Sequence, residues 1–410
     1  AGGRPVRPLF PPGQQALPCP HPQAGGGILE SHFQGSNVMN DHDLLPEGLE
    51  DRLPASAAAA ARVTRALLDA MDGHGYDRVQ PPTIEFEKSL ASRMAGISPR
   101  RMFRFVDPAS LRTLALRSDM TPQLGRIAST SLAHAARPLR LCYAGQVVTI
   151  KGDGLDPTRE RLQIGAELIG ADSVAAAGEA VAVALEALRA AGATGLSVDF
   201  TLPDLVDLLA AGPLPLDAGK VEAVRRELDA KDAGGLVDAG GAAYLPLLEA
   251  IGPFDAAIAR LAAFDSGGVL ADRIAGLRAI AARAAPLARV TLDPSERHGF
   301  EYQSWFGFTI YADGVSGALG RGGSYAIRAH ESGTEEPAIG FSLYPDDLID
   351  LLAQQETPRD TLFLPLGHDA HRAQQLRMIG WRTVAALCEA CEPRALGCTH
   401  VLKEGEAVRL

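Results

Sequence analysis

The sequence has few cysteines, few aromatic residues and no long apolar run. No apolar segment approaches the roughly 20 residues that a membrane-spanning helix needs, so we predict no membrane partner. Five cysteines, an odd number spread over 410 residues, are typical of a chain that folds in a reducing compartment without structural disulfides. The sequence therefore predicts a cytoplasmic protein.

The chain also lacks a basic surplus. It has 39 Lys and Arg residues against 50 Asp and Glu residues, which gives a net charge of −11. Proteins that grip nucleic acid usually carry a basic patch, because the phosphate backbone supplies most of the attraction. No run of Lys and Arg stands out here, so we predict no nucleic-acid partner.

Cysteine is concentrated only near the C-terminus, where CEACEPRALGCTH brings Cys388, Cys391, Cys398 and His400 together. Zinc sites use such ligands. However, the first two cysteines close an apolar stretch, and the later spacing fits no common zinc finger. We interpret these residues as small buried thiols and predict neither a metal site nor a cofactor.

The composition is that of a globular chain with a large core, and its length indicates two or three domains. Residues 1–38 are rich in Gly and Pro, and we interpret them as a disordered leader or a non-native extension before a natural start at Met39. Residues 39–355 are predicted to form the main domain, with a helical insertion at about 203–290. Residues 356–410 are predicted to form a small β-α-β tail.

Hydrophobic periodicity predicts an α+β fold with an antiparallel core. Helical spacing predicts helices at 54–71, after Pro122 and at 173–191, the last one capped by Asp172 or Ser173. Alternating strands dominate residues 76–170 and 290–345. Shorter features complete the prediction: a hairpin that turns at Asp107–Pro108, a turn in the Gly-rich segment 317–325, and, in the tail, strands at 361–367, about 381–387 and about 399–409 with a helix near 369–379.

Several motifs resemble one family. From about Leu44 to Leu352 the chain resembles the catalytic core of histidyl-tRNA synthetases. PPTIEF resembles the first class II motif, whose proline, here Pro82, lies at a dimer interface. LALRSDMT resembles the segment that holds the histidine amino group. LCYAGQVVTI and RERLQIGAELIG together resemble the second motif, and AIGFSLYPDDL resembles the third. ERHGFEYQ resembles the histidine-specific loop, and GRGGSY resembles the Gly-Gly-Arg loop. The resemblance implies a class II synthetase-like antiparallel sheet flanked by helices, and a homodimer.

The departures from this family concern ATP. The resemblance assigns residues that handle ATP to five positions, and none keeps the expected side chain: Thr149, Lys151, His298, Ser324 and Asp347. Adenylyl transfer depends on fixed cations around developing negative charge. Each lost charge-assisted contact costs roughly 1.5–3 kcal/mol, so we predict no histidyl-adenylate and no catalytic residues.

The amino-acid side of the pocket keeps its polar residues. Gln163 and Glu167 lie four apart on a predicted strand, so both should point to the same face of the sheet. Carboxylates and amides suit a small cationic ligand that carries an imidazole. The residues predicted to bind histidine are Asp119, Thr121, Gln163, Glu167, Glu301 and Tyr302. The alternative is that they form a structural polar network without a ligand.

A synthetase-like core without the cations and without a full anticodon-binding domain resembles the family of ATP phosphoribosyltransferase regulatory subunits. This resemblance implies a non-catalytic subunit of a hetero-octamer with the short-form catalytic subunit. It also implies activation of that subunit and feedback by L-histidine in the first step of histidine biosynthesis. Two alternatives are an active histidyl-tRNA synthetase and a synthetase-like protein with another role, such as stress sensing. Inhibitory histidine could occupy the synthetase pocket or a subunit interface.

Overall fold

The structure, a computed structural model, describes residues 44–91, 102–152, 156–297, 303–328, 335–355 and 358–410. Its contacts divide the chain into two compact units, with the boundary after Gln355. Each unit has its own β-sheet and its own apolar core.

Helices and strands alternate along most of the described chain. The α-helices are α1 (Pro54–Gly73), α2 (Glu87–Ala91), α3 (Thr121–Ser129), α4 (Val174–Ala190), α5 (Leu205–Ala211), α6 (Ala218–Asp229), α7 (Ala233–Asp238), α8 (Phe254–Phe264), α9 (Ala271–Ala284), α10 (Asp346–Gln354) and α11 (Ala370–Met378), with a 3-10 helix at Ala242–Glu249. The strands are β1 (Asp77–Arg78), β2 (Ile84–Phe86), β3 (Arg104–Val106), β4 (Thr113–Leu116), β5 (Leu139–Val148), β6 (Glu160–Ile169), β7 (Ser197–Thr201), β8 (Gly252–Pro253), β9 (Arg289–Leu292), β10 (Gln303–Tyr311), β11 (Gly320–Arg328), β12 (Glu335–Leu343), β13 (Thr361–Leu364), β14 (Arg382–Ala385), β15 (His400–Lys403) and β16 (Glu406–Arg409).

The larger unit is built on a nine-stranded sheet in the order β1-β5-β6-β12-β11-β10-β7-β9-β8. Its six central strands, from β5 to β7, pair antiparallel. A separate sheet of order β2-β4-β3 contains the predicted hairpin, which is confirmed because β3 and β4 pair antiparallel on either side of Asp107–Pro108.

Helices α1 and α4 cover one face of the nine-stranded sheet. Ile164, Ala166 and Leu168 of β6 face them in the main apolar cluster. Helix α4 is almost wholly buried, because small alanines let it approach α1 and α9 closely. Its predicted start is confirmed: the Ser173 hydroxyl accepts a hydrogen bond from the amide of Ala176 at 3.3 Å.

Residues 205–284, all of them described, contain α5 to α9, the 3-10 helix and the two-residue strand β8. The chain returns from these helices into the sheet through β9, which pairs parallel with β7. The ammonium of Lys231 binds the Asp293 carboxylate at 2.7 Å and the Ser295 hydroxyl at 3.0 Å. This contact ties the helical segment to the backbone that follows β9.

The prediction of a turn at residues 317–325 is wrong, because most of this Gly-rich segment belongs to strand β11. A Cβ on Gly322 would lie 2.5 Å from the ring of Phe308 on β10. The two strands therefore pair closely because the position has no side chain. The turn lies between β10 and β11, where Gly314 and Gly317 have φ angles of 75° and 73°, in the left-handed region that favours glycine.

The smaller unit has a four-stranded sheet of order β14-β13-β15-β16. Strands β13 and β14 are parallel and are joined through α11, which is the predicted β-α-β arrangement. The predicted single strand at about 399–409 is wrong in one respect: it is an antiparallel hairpin of β15 and β16. Glu404 and Gly405 turn the chain with positive φ angles of 50° and 85°. Both strands alternate polar and apolar residues, and a two-residue turn between them interrupts that pattern too little to show in the sequence.

Ser324 on β11 stabilises an irregularity in the neighbouring strand. The pairing of β10 with β11 shifts register between Gln303 and Gly307. The fully buried hydroxyl of Ser324 accepts hydrogen bonds from the amides of Trp305 at 3.1 Å and Phe306 at 3.0 Å. A bulge takes amides out of the regular ladder, and here one side chain satisfies two of them.

We expect Ser324→Ala to lower the free energy of unfolding by about 2 kcal/mol, because buried donors left without a partner cost roughly 1–3 kcal/mol. Chemical denaturation measures this change. Ser304→Ala is the matched control: Ser304 is exposed and only donates to the Ser324 hydroxyl at 2.8 Å, so its effect should stay within about 0.5 kcal/mol. Equal losses in the two variants would contradict the bulge argument.

Candidate functional site

The sheet face opposite α1 and α4 carries few side chains beside Glu167. Four residues on neighbouring strands lie in register: Glu167 on β6, Gly340 on β12, Gly323 on β11 and Gly307 on β10. A Cβ on Gly340 would overlap the carboxylate of Glu167. The glycines therefore leave room on the sheet for the buried polar groups that lie beside them.

Gln163 is the centre of the polar cluster on this face. Its side-chain nitrogen donates to the Asp119 carboxylate and to the Ser342 hydroxyl, each at 2.8 Å. Its side-chain oxygen accepts from the backbone amide of Met120 at 2.9 Å. The amide is fully buried, and these three partners fix which end is oxygen and which is nitrogen.

Glu167 lies four residues along the same strand and is 1% exposed. The hydroxyl of Tyr325 donates to one carboxylate oxygen at 2.7 Å, and that of Tyr143 approaches the other at 3.3 Å. Burial raises the pKa of Glu167 to about 8, and the charge of Asp119 adds to the rise, whereas hydrogen bonds that include the one from Tyr325 oppose it. Burial therefore favours the neutral acid form of Glu167 in this cluster.

Asp119 and Thr121 come from the segment that leads into α3. The Asp119 carboxylate accepts from the amide of Thr121 at 2.9 Å, which fixes a short turn at the start of the helix. The Thr121 side chain is buried beside Glu167 and Tyr143. Asp119 remains partly exposed, so it is the carboxylate of the cluster that a cation from solvent would meet first.

The structure brings together four of the six residues predicted to bind histidine. Asp119, Thr121, Gln163 and Glu167 form one cluster. The other two predicted residues, Glu301 and Tyr302, lie outside the described residues. So does His298, one of the five degenerate positions, at which the side chain expected from the synthetase family is replaced.

Three cluster residues were missed from the sequence: Tyr143, Tyr325 and Ser342. The hydroxyls of Tyr143 and Ser342 lie 3.0 Å apart, and both are buried. Strand alternation could have found Tyr143, since it pairs with Gly165, midway between Gln163 and Glu167 on the same face. Tyr325 and Ser342 come from strands more than 150 positions away along the chain, and no local pattern links them to β6.

The degenerate positions on the second motif form ordinary turn contacts. The Thr149 amide donates to the Arg159 carbonyl at 2.8 Å, and the Thr149 hydroxyl donates to the Lys151 carbonyl at 2.9 Å. Arg159 donates to the Glu47 carbonyl at 3.0 Å and lies 4.9 Å from the ring centre of Phe103. Its guanidinium is therefore held by the protein itself.

The third-motif region is acidic at its helix start. Asp346 and Asp347 open α10, where the helix dipole favours carboxylates. The amide of Leu162 and the guanidinium of Arg52 both bind Asp346. Burial raises the pKa of Asp346, and Arg52 opposes this rise. The guanidinium of Arg161 lies 3.8 Å from the Asp156 carboxylate and 5.3 Å from the ring centre of Tyr344.

Ser324, the fifth degenerate position, does not share a face with the cluster. It precedes Tyr325 on β11, and consecutive strand residues point to opposite faces. Its hydroxyl is occupied by the β10 bulge. A cation at this position would enter the apolar layer beneath α4 rather than the polar cluster.

In the described ranges of the chain, no group of three or more His, Cys, Asp or Glu side chains is arranged to hold a metal ion. None of the helices there has the length and apolar character to cross a membrane.

Comparisons with known proteins place this geometry in a family. The family model for histidyl-tRNA synthetase matches residues 48–348. A regulatory subunit of ATP phosphoribosyltransferase from Rhodospirillum centenum is 41% identical over 372 residues, which cover 88% of this chain and 95% of that protein. One from Paramagnetospirillum magneticum is 40% identical, with 88% and 96% covered.

Solved structures agree on the fold. A Bacillus halodurans protein described as an ATP phosphoribosyltransferase regulatory subunit/histidyl-tRNA synthetase superposes with a TM-score of 0.74 at 23% identity, covering 88% of this chain and 97% of that one. Histidyl-tRNA synthetase from Nostoc gives 0.72 at 15% identity, with 88% and 91% covered. The predicted class II synthetase-like fold is confirmed. The identity to the curated relatives, and the length it covers, show that the chain belongs to the family of ATP phosphoribosyltransferase regulatory subunits.

Proposed function

We propose that this chain is the non-catalytic regulatory subunit of an ATP phosphoribosyltransferase. In this role it activates the short-form catalytic subunit and makes it sensitive to L-histidine in the first step of histidine biosynthesis. The identity of 41% over nearly the whole length of a relative with that name carries the proposal. The hetero-octamer and the cytoplasmic location predicted from the sequence belong to the same proposal.

The polar cluster supports histidine as the effector. A free amino acid has an ammonium, which suits the partly exposed carboxylate of Asp119. Its imidazole can share a proton with Glu167, since a carboxyl with a pKa of about 8 and an imidazole exchange protons near neutral pH. Gly323 and Gly307, which lie in register with Gly340 on the next two strands, carry no side chain that a flat ring over the sheet would have to displace.

The contacts at the ATP-related positions support the absence of catalysis. Thr149 and Ser324 carry no charge, and their hydroxyls are engaged by backbone groups. Asp347 adds an anion at the start of α10. A triphosphate in this region would meet carboxylates where phosphoryl chemistry needs fixed cations.

An exposed apolar patch supports a homodimer as the unit of assembly. Ile84, Phe105 and Val106 lie on the edge strands β2 and β3 of the small sheet, and their side chains are 43%, 42% and 60% exposed. An uncovered edge of this kind is usually paired or covered in a native protein. Ile84 of this patch belongs to PPTIEF, the segment that resembles the class II dimer motif.

We expect no histidine-dependent exchange of labelled pyrophosphate into ATP by the purified protein. The physical reason is the loss of the cations that stabilise charge on the transferred group. A histidyl-tRNA synthetase assayed in parallel is the positive control. Exchange above the blank that requires histidine would contradict the proposal and restore the synthetase alternative.

Glu167→Gln tests the pocket in the reconstituted complex with the short-form catalytic subunit. Glutamine keeps the shape and a partner for Tyr325 but cannot exchange a proton with an imidazole. We expect activation of the catalytic subunit to persist, while the histidine concentration for half inhibition rises about tenfold, the size of a 1.4 kcal/mol loss.

Glu160→Gln is the matched control, since Glu160 opens the same strand but is exposed; its inhibition curve should match the wild type. Gln163→Ala should shift the curve in the same direction as Glu167→Gln. If neither the change at Gln163 nor the change at Glu167 moves the inhibition curve, the polar cluster does not bind the histidine that inhibits the complex. Histidine must then act elsewhere, first at the subunit interface.

The buried carboxyl also predicts a pH dependence of stability. Because folding raises the pKa of Glu167 to about 8, the folded state holds a proton that the unfolded state releases above about pH 4.5. Without ligand, the free energy of unfolding should fall between about pH 5 and pH 8, by at most roughly 1.4 kcal/mol per pH unit from this group. Glu167→Gln should flatten the slope in denaturation measured across this range. An unchanged slope would show that Glu167 is ionised in the folded protein.

A further inference from the structure

Two cysteines meet in a turn of the smaller unit, apart from the polar cluster. Cys388 and Cys391 follow β14 with two residues between them, and the amide of Cys391 approaches the carbonyl of Cys388 at 3.4 Å. Their sulfur atoms lie 3.2 Å apart, and both residues are present as thiols. A disulfide bond needs a separation of about 2.05 Å, which small side-chain rotations on a turn of this size can supply.

The two thiols are reachable from solvent, and the third cysteine of the tail is not. Cys388 and Cys391 are half-buried, next to Leu387, whose side chain is 87% exposed. Cys398 is 6% exposed, and burial raises its pKa. Since the thiolate is the attacking form in thiol chemistry, Cys398 is poorly suited to begin an exchange reaction.

The surrounding fold also fits a dithiol. Cys391 packs against the apolar cluster of Phe363, Cys398 and Val401 in the four-stranded sheet of this unit. The pair follows a β-α-β arrangement, β13-α11-β14, which is the setting in which a Cys-x-x-Cys sequence indicates redox chemistry rather than a structural bridge. In the described part of the chain no third metal-binding side chain joins the two sulfurs, so a zinc site does not explain the pair.

We propose that Cys388 and Cys391 form a thiol–disulfide exchange site whose substrate is a low-molecular-weight disulfide. One cysteine thiolate attacks the small disulfide, forms a mixed disulfide and releases one small thiolate. The second cysteine thiolate then attacks the protein sulfur of that mixed disulfide and releases the other small thiolate. The two cysteines lose two protons and two electrons, and the small disulfide is reduced to two thiols.

The product is a covalent link across the turn. Before oxidation, Cys388 is tied to Cys391 by one weak backbone contact and by the approach of the two sulfurs. After oxidation, the residue that follows the exposed Leu387 is bonded to a residue held in the apolar cluster. The dithiol site uses none of the groups in the polar cluster of the larger unit, so the exchange reaction does not require histidine binding there.

The full-length protein can be equilibrated with mixtures of reduced and oxidised glutathione, quenched in acid, alkylated and digested with trypsin. The sequence favours this design, because cleavage after Arg382 and Arg394 releases residues 383–394 with both cysteines and without Cys398. In oxidising mixtures we expect this peptide to lose the mass of two hydrogen atoms and to take up no alkylating reagent. Reduction by dithiothreitol should restore two alkylation adducts.

Serine variants provide the controls and keep the size and polarity of the thiol. Cys391→Ser should leave a glutathione adduct on Cys388 in place of the internal link. Cys19→Ser, Cys142→Ser and Cys398→Ser should each form the internal link as the wild type does. Full alkylation of peptide 383–394 in the most oxidising mixture would overturn the proposal. So would stable glutathione adducts on the wild-type pair, or a bond from either cysteine to Cys398.

Discussion

The arrangement of the larger unit depends on keeping one carboxyl group buried on a sheet face. Glu167 has almost no contact with solvent, and an unpaired charge at such a depth is costly. The protein meets this cost in two ways: the hydroxyls of Tyr143 and Tyr325 bind the carboxyl, and burial raises its pKa, which favours the protonated form. Glycine at the neighbouring register positions follows from the same constraint, because a side chain on Gly340 would take the space of the carboxyl itself.

The polar groups of the larger unit are held by partners within the chain itself. Gln163 has partners for both its nitrogen and its oxygen, so the cluster is assembled without a ligand. At the second motif, Arg159 is engaged by the Glu47 carbonyl and by Phe103. A pocket that is pre-organised for a small polar ligand has lower ordering costs on binding.

The sequence predicts the fold better than it predicts the contents of the site. The spacing of Gln163 and Glu167 correctly places both on one sheet face, because a strand has a period of two residues. It gives no information on Tyr325 and Ser342, which reach the cluster from strands that join the sheet after a long helical segment. The turn predicted for the glycines of β11 is wrong for a related reason. Glycine signals a turn in isolation, and only the ring of Phe308 on the adjacent strand explains why it is needed inside a sheet.

The position of Ser324 limits which side chains strand β11 can carry there. Its hydroxyl holds two amides of the β10 bulge on the apolar side of the sheet. An arginine substituted there would bring a guanidinium into a layer packed by Phe306, Phe308 and Ile339, and would also leave those amides without their acceptor. An arginine at this position would therefore destabilise the sheet and would not present its charge to the polar cluster on the opposite face.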